Sequence, residues 1–192
     1  MRLSFAKVLL IALVASSAQA QVPASAPTGG PVATEVPQVV AASNQDRDWQ
    51  PTAEQRRRVL RDVRAYLAAK DEGRFADAYA LFSPNQKTTV PFSRWEADMR
   101  KIYSQAGRAQ GRTLKRITWH KDPANAPRGV YAAVDFSSRF SELGLHCGFV
   151  AMQMQMDGSF RVAREEENAI PKREMAKVTP EVLQTIRAKF GC

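Results

Sequence analysis

The apolar positions of this chain change period partway along, and that change predicts the order of its elements. After Thr52, which can cap a helix with Gln55 answering three residues on, Val59, Leu60, Val63, Tyr66 and Leu67 recur at helical spacing and make one apolar stripe, with Gly73 as the stop. Phe75, Tyr79 and Phe82 predict a short second helix ending at Ser83-Pro84, and Thr88-Thr89-Val90 reads as a short strand. Ser93 and Glu96 form a second capping signature, ahead of Trp95, Met99 and Ile102 on one helical face and Gly107 at the end. From Arg112 the period is two. Residues 112–121 alternate, Val130, Ala132, Val134 and Phe136 alternate in a second strand, and a third runs from Leu145 to Met156. Asp157-Gly158 is a tight-turn signal, followed by a return strand with Phe160, Val162 and Arg164. Thr179-Pro180 opens a last helix whose apolar face is Val182, Leu183, Ile186 and Phe190. Helices first and consecutive antiparallel strands second define an α+β domain, with the helices packed on one face of the sheet.

The amino end follows a different rule. Arg2 and Lys7 precede the apolar run from Val8 to Ala15, and Ala18-Gln19-Ala20 offers small residues for cleavage. Charge, short apolar core and small-residue exit in that order predict a secretory signal over residues 1–20. The run is too short to span a bilayer, which takes about 20 apolar residues. Nothing further along reads as a transmembrane segment, so the processed chain is expected to be periplasmic or secreted. Residues 21–45 are small, nearly uncharged and broken by Pro23, Pro27, Pro31 and Pro37, which predicts a disordered linker ahead of a single domain at 46–192.

Charge and cysteines narrow the functional classes. The chain carries a net charge of +9, which falls to +7 once Arg2 and Lys7 are removed. In an exported protein this balance points away from nucleic acid and toward anionic envelope material or an envelope partner. Solubility alone is the blander account. Both cysteines, Cys147 and Cys192, lie in the processed chain, and an oxidising compartment favours pairing them. A buried thiol at Cys147 with a frayed end at Cys192 is the alternative.

The layout resembles the cone-shaped cystatin-like superfamily typified by nuclear transport factor two. Within it, residues from about Tyr66 to Asn168 look like the exported bacterial family known as domain of unknown function 4019. The resemblance rests on Tyr66-Leu67, Asp71 to Phe75, Trp95 with its helix, Gly111 to Lys115, Gly129 to Phe136, and the hairpin Asp157 to Val162. It implies helices in the concave face of a curved antiparallel sheet, with a C-terminal helix added here. It implies no activity, because fold alone does not supply one.

Candidate chemistry is sparse. Met152, Met154 and Met156 alternate along one predicted strand, and thioethers select Cu(I), though such a stripe is more often a core lining. Asp135 and His146 could meet inside a cone as an acid–base pair if their strands take the right register, with Tyr66 and Trp95 lining the same space. Arg57, Arg61 and Arg64 share one helix face and could contact an anionic surface, a solvated face being the alternative. Glu165, Glu166 and Glu167 read as an exposed strand end. No phosphate loop, nucleophile motif or paired metal-ligand spacing is present, so neither a cofactor nor catalytic residues are expected. The leading expectation is a non-catalytic binding or scaffolding domain in the cell envelope, ahead of a small-molecule-binding or acid–base cone and of copper handling.

Overall fold

The computed structural model describes residues 36–41, 48–190 and 192, with Phe190 described by its backbone alone. The signal segment and most of the predicted linker lie outside those residues. In chain order the elements are β1 (Gln38–Val40), α1 (Ala53–Asp71), α2 (Phe75–Ala80), α3 (Pro84–Thr89), α4 (Phe92–Ala106), β2 (Ala109–Lys121), β3 (Val130–Phe140), β4 (Leu143–Met154), β5 (Phe160–Pro171), α5 (Lys172–Met175) and α6 (Pro180–Phe190). The domain is α+β. Its sheet has the order β1-β2-β3-β4-β5, in which β2 to β5 are antiparallel neighbours and β1 runs parallel to β2.

β1 departs from two expectations. It makes the sheet mixed where an antiparallel one is predicted, and it lies within the stretch read as disordered linker. The reason is local. Val36 is buried in the core, Trp119 donates its indole N–H to the side chain of Gln38 at 2.6 Å, and the backbone of Ile117 donates to Pro37. A few β-branched residues beside a large buried ring suffice to order the end of a Pro-rich stretch.

The predicted capping of α1 is present. The Thr52 hydroxyl accepts from the Gln55 amide at 3.1 Å, and the Gln55 side chain accepts from Thr52 at 2.8 Å. Val59, Val63, Tyr66 and Leu67 are buried, and Leu60 is half-buried. Where Thr88-Thr89-Val90 suggests a strand, the chain forms α3, because Ser83 caps Gln86 and Pro84 sits in the first turn, where a missing N–H is harmless. α4 begins one residue before the expected cap. Pro91 precedes it, no side chain caps it, and Ile102 is exposed while Trp95 and Met99 are buried.

The core joins Val59, Val63 and Tyr66 of α1 with Phe75, Phe82 and Trp95 and with Ile117, Trp119, Val134, Phe136, Val150, Met152, Phe160 and Val162 of the sheet. Two irregularities decide which sheet side chains enter it. In β2 the register shifts between Leu114 and Arg116, so that Ile117 and Trp119 turn inward. In β5 the register shifts opposite Ala151 and Met152, and the extra residue reverses the alternation after Val162. Phe160 and Val162 are core residues before the shift. Beyond it Arg164 and Glu166 are exposed, while Glu165 and Glu167 turn toward α1.

Candidate functional site

That reversal builds the most unusual feature of the described residues, a cluster of ionisable side chains inside the core. Lys70 stands one turn beyond Tyr66 on the buried face of α1 and is fully buried. A lysine so placed is costly unless its ammonium is paired. Here Nζ donates to Glu165 at 2.7 Å and to Glu167 at 3.1 Å. The Tyr66 hydroxyl donates to the other oxygen of Glu165 at 2.7 Å. Beside these four residues, Arg112 of β2 is nearly buried and grips both oxygens of Asp71, its Nε lying 2.8 Å from one and its second terminal nitrogen 2.8 Å from the other. The same guanidinium donates to Tyr103 at 2.8 Å and to Ser138 at 3.0 Å, and lies over the rings of Phe136 and Phe140. Its remaining approach, 3.6 Å to Glu167, joins the two groups.

The environment divides the carboxyls. Burial pushes Glu165 up, against the pull of Lys70 and with the push of Glu167. Burial also acts on Glu167, but Lys70 and Arg112 outweigh it and hold that carboxyl below its ordinary value. Desolvation, with Glu165 beside it, drives the Tyr66 phenol well above its usual value. His146 of β4 sits at the margin, buried between the rings of Phe136 and Phe140, with Nε2 3.9 Å from Glu167. Burial first, then Arg112 and Lys70, hold it down near 4 against the opposing pull of Glu167 and Asp71. Its Nδ1 is buried without a hydrogen-bond partner among the described residues.

Of the residues expected to line a cavity, Tyr66 belongs to this cluster, and His146 reaches it at its edge. Trp95 is instead packed among Phe75, Tyr79 and Phe82. Asp135 does not meet His146. The register sets Asp135 opposite Phe149, and its carboxylate accepts from Arg116 at 3.0 Å on the far side of the sheet, while Phe136 takes the place beside the imidazole.

The methionine stripe does not form one site. Met152 is buried in the core, Met154 accepts from the Gln55 amide at 3.4 Å, and Met156 lies past the end of β4, fully exposed in the turn. Among the described residues no group of three or more His, Cys, Asp or Glu is placed to hold a metal. Arg57, Arg61 and Arg64 are all exposed. Arg57 pairs with Glu54 and Arg61 with Asp62, while Arg64 has no ion pair among the described residues. Arg112, unlike these three, is withdrawn from the surface. Cys147 and Cys192 lie at disulfide distance, their Cα atoms 5.6 Å apart. No described helix is long and apolar enough to cross a membrane.

Lys70, Asp71, Arg112, Glu165 and Glu167 escape a reading by periodicity for a physical reason. Two charged residues at the end of an amphipathic helix normally face water, and a run of glutamates normally does too. One signal was available, since Lys70 falls on the apolar stripe four residues after Tyr66.

Grooves lie elsewhere. One of about 420 Å³ follows α4 past Arg94, Trp95 and Ile102. A second of about 420 Å³ lies between α3 and the β2–β3 loop. A third of about 360 Å³ lies where α5 begins, by Glu142 and Lys172. The ionisable cluster lines none of the three.

Comparison with curated proteins found no match, and comparison with solved structures found none either. A family profile does match, over residues 62–164, a span that takes in most of α1 and runs through the start of β5 to the reversal that turns the glutamates inward. The chain belongs to the family described as Protein of unknown function (DUF4019).

Proposed function

We propose that this is an exported bacterial envelope protein whose folded domain, a cystatin-like cone with helices in the concave face of its sheet, binds a surface or partner and does not catalyse. The single observation that carries the non-catalytic reading is the mutual pairing of the interior acids and bases. Glu165 is taken by Lys70 and Tyr66, and Asp71 by Arg112. A general acid or base needs a substrate proton within about 3 Å, and these groups are spent on one another away from the described grooves.

Export is supported by the order of charge, apolar core and small residues at 1–20. A cysteine pair at disulfide distance is consistent with an oxidising compartment. The contact surface in this reading is the outward face of α1, where Arg57, Arg61 and Arg64 meet anionic envelope material. Such basic residues contribute about 1 kcal/mol each near an anionic membrane surface. The test is fractionation of the full chain exported in a bacterial host, beside a variant with Arg57, Arg61 and Arg64 changed to Glu. The wild type is expected in the envelope fraction and the folded variant in the soluble periplasmic fraction. Identical fractionation of the two would contradict the proposed contact.

A further inference from the structure

The groove between α3 and the β2–β3 loop has walls unlike the rest of the surface. One wall is α3, held at the edge of β5 because the backbone of Ser83 donates to Val162 and that of Val162 donates to Leu81. The other is the β2–β3 loop, which is tied down at three points. The Asp122 backbone N–H donates to the Gly129 carbonyl at 2.8 Å, the Asp122 carboxylate accepts from the Gly129 amide at 2.7 Å, and the Tyr131 hydroxyl donates to Pro127 at 2.9 Å. The floor is the sheet face opposite the core, kept low by Ala151 and Ala163. A groove with fixed walls and a small apolar floor is preformed, and its volume lies in the range of ligand sites.

Its chemistry is amide and hydroxyl. Asn85, Gln86 and Asn125 line it, and their side chains make no hydrogen bond among the described residues. Gln153 completes the set from the floor. Each amide presents donors and an acceptor side by side. The one charged side chain on the lining is Arg164, and its charge is already met by Glu166 at 2.9 Å. Apart from that pair the lining offers a free anion or cation no charge, whereas a ligand whose every hydroxyl both donates and accepts would match the walls. A peptide is the weaker fit. The β5 backbone groups that could pair an added strand at Val162 are already used by the chain itself.

We infer that this groove binds a neutral saccharide unit of an envelope glycan, the amides of Asn85, Gln86, Asn125 and Gln153 reading its hydroxyls over the alanine floor. The inference rests on the proposal that the protein is an envelope-binding domain, and it names a ligand class that the basic face of α1 does not.

An array of bacterial oligosaccharides, with a set of unstructured peptides on the same surface, probed with the full chain provides the test. Neutral oligosaccharides should be retained. Gln86→Ala with Asn125→Ala, both at the surface and outside the core, should weaken that retention at least tenfold, with unfolding midpoints unchanged. The Arg57, Arg61 and Arg64 charge reversal should leave it untouched, so loss of envelope fractionation and loss of sugar binding report separately. Retention of no oligosaccharide, retention only of phosphorylated or acidic ones, retention indifferent to the groove substitutions, or retention of the peptides in their place would each overturn the inference.

Discussion

Lys70 shows how much one side chain can decide. A fully buried ammonium is tolerated because two carboxylates and a phenol are arranged around it, and the arrangement contributes most when complete. Removing one member should therefore cost more than the ion pair is worth. Lys70→Met leaves Glu165 and Glu167 buried without their shared cation, and urea unfolding should show a loss of about 3–5 kcal/mol. Adding Glu165→Gln and Glu167→Gln removes the stranded charges and should recover a large part of that loss. A triple variant no more stable than the single would contradict the account. His146 gives a pH signature of definite sign. Its folded value, near 4, lies below the ordinary 6.5, so between those values the unfolded chain binds the extra proton. Stability from this group is complete above pH 6.5, falls as the pH drops toward 4, and is gone below it, an effect on the order of 3 kcal/mol. Glu165, pushed the other way, contributes with the opposite sign, so the test is a comparison. His146→Phe should flatten the fall measured for the wild type across that window, and an unchanged slope would show that the imidazole does not carry it.

At the scale of elements, the chain's periodicity reports most of the helices and strands and misses what interrupts them. The α1 capping box, the α1 stripe, the alternation of β3 and the Asp157-Gly158 turn all follow from local pattern, because local hydrogen bonds and one buried face create them. The reversal in β5 has no such signature. Strict alternation from Phe160 and Val162 puts Arg164 inward and Glu165 outward, and only pairing with β4 reveals the extra residue that exchanges them. The candidate site was hidden for the same reason, since its two glutamates turn toward Lys70 only after that shift. Asp135 and His146 failed to meet because register between two strands is a property of the sheet and not of either strand. Gly148 marks a second constraint of this kind. A Cβ there would stand 2.0 Å from the backbone oxygen of Glu166, the rigid part of the strand carrying the inward glutamates. Gly148→Ala should therefore destabilise the protein by about 2 kcal/mol or more, read as a lower urea midpoint. Wild-type stability in that variant would mean that β5 can move aside and that the close approach is not needed.

For the molecule as a whole, the mixed sheet and the paired charges beneath it account for the folded domain. The C-terminal helix α6 is tied back to β4 through Cys147 and Cys192, which are separated by 45 residues in sequence. Closing a loop of that length is worth about 4 kcal/mol in the chain-entropy model. The oxidised protein should accordingly unfold at a higher denaturant concentration than the reduced protein or the Cys147→Ser, Cys192→Ser variant, and coincident transitions would show that the cross-link contributes little. In the function proposed above, export, the basic face of α1 and the neutral groove form one picture, a small domain held in the envelope by its exterior.

The most direct measurement of that picture is co-sedimentation of the full chain with vesicles containing phosphatidylglycerol, run on three proteins side by side. They are the wild type, the variant with Lys70→Met, Glu165→Gln and Glu167→Gln, and the variant with Arg57, Arg61 and Arg64 changed to Glu. The account predicts that the first two sediment alike and that the third stays in solution, because the interior charges hold the fold and the exterior ones make the contact. Loss of sedimentation in the folded interior variant, with the arginine variant behaving as wild type, would contradict it.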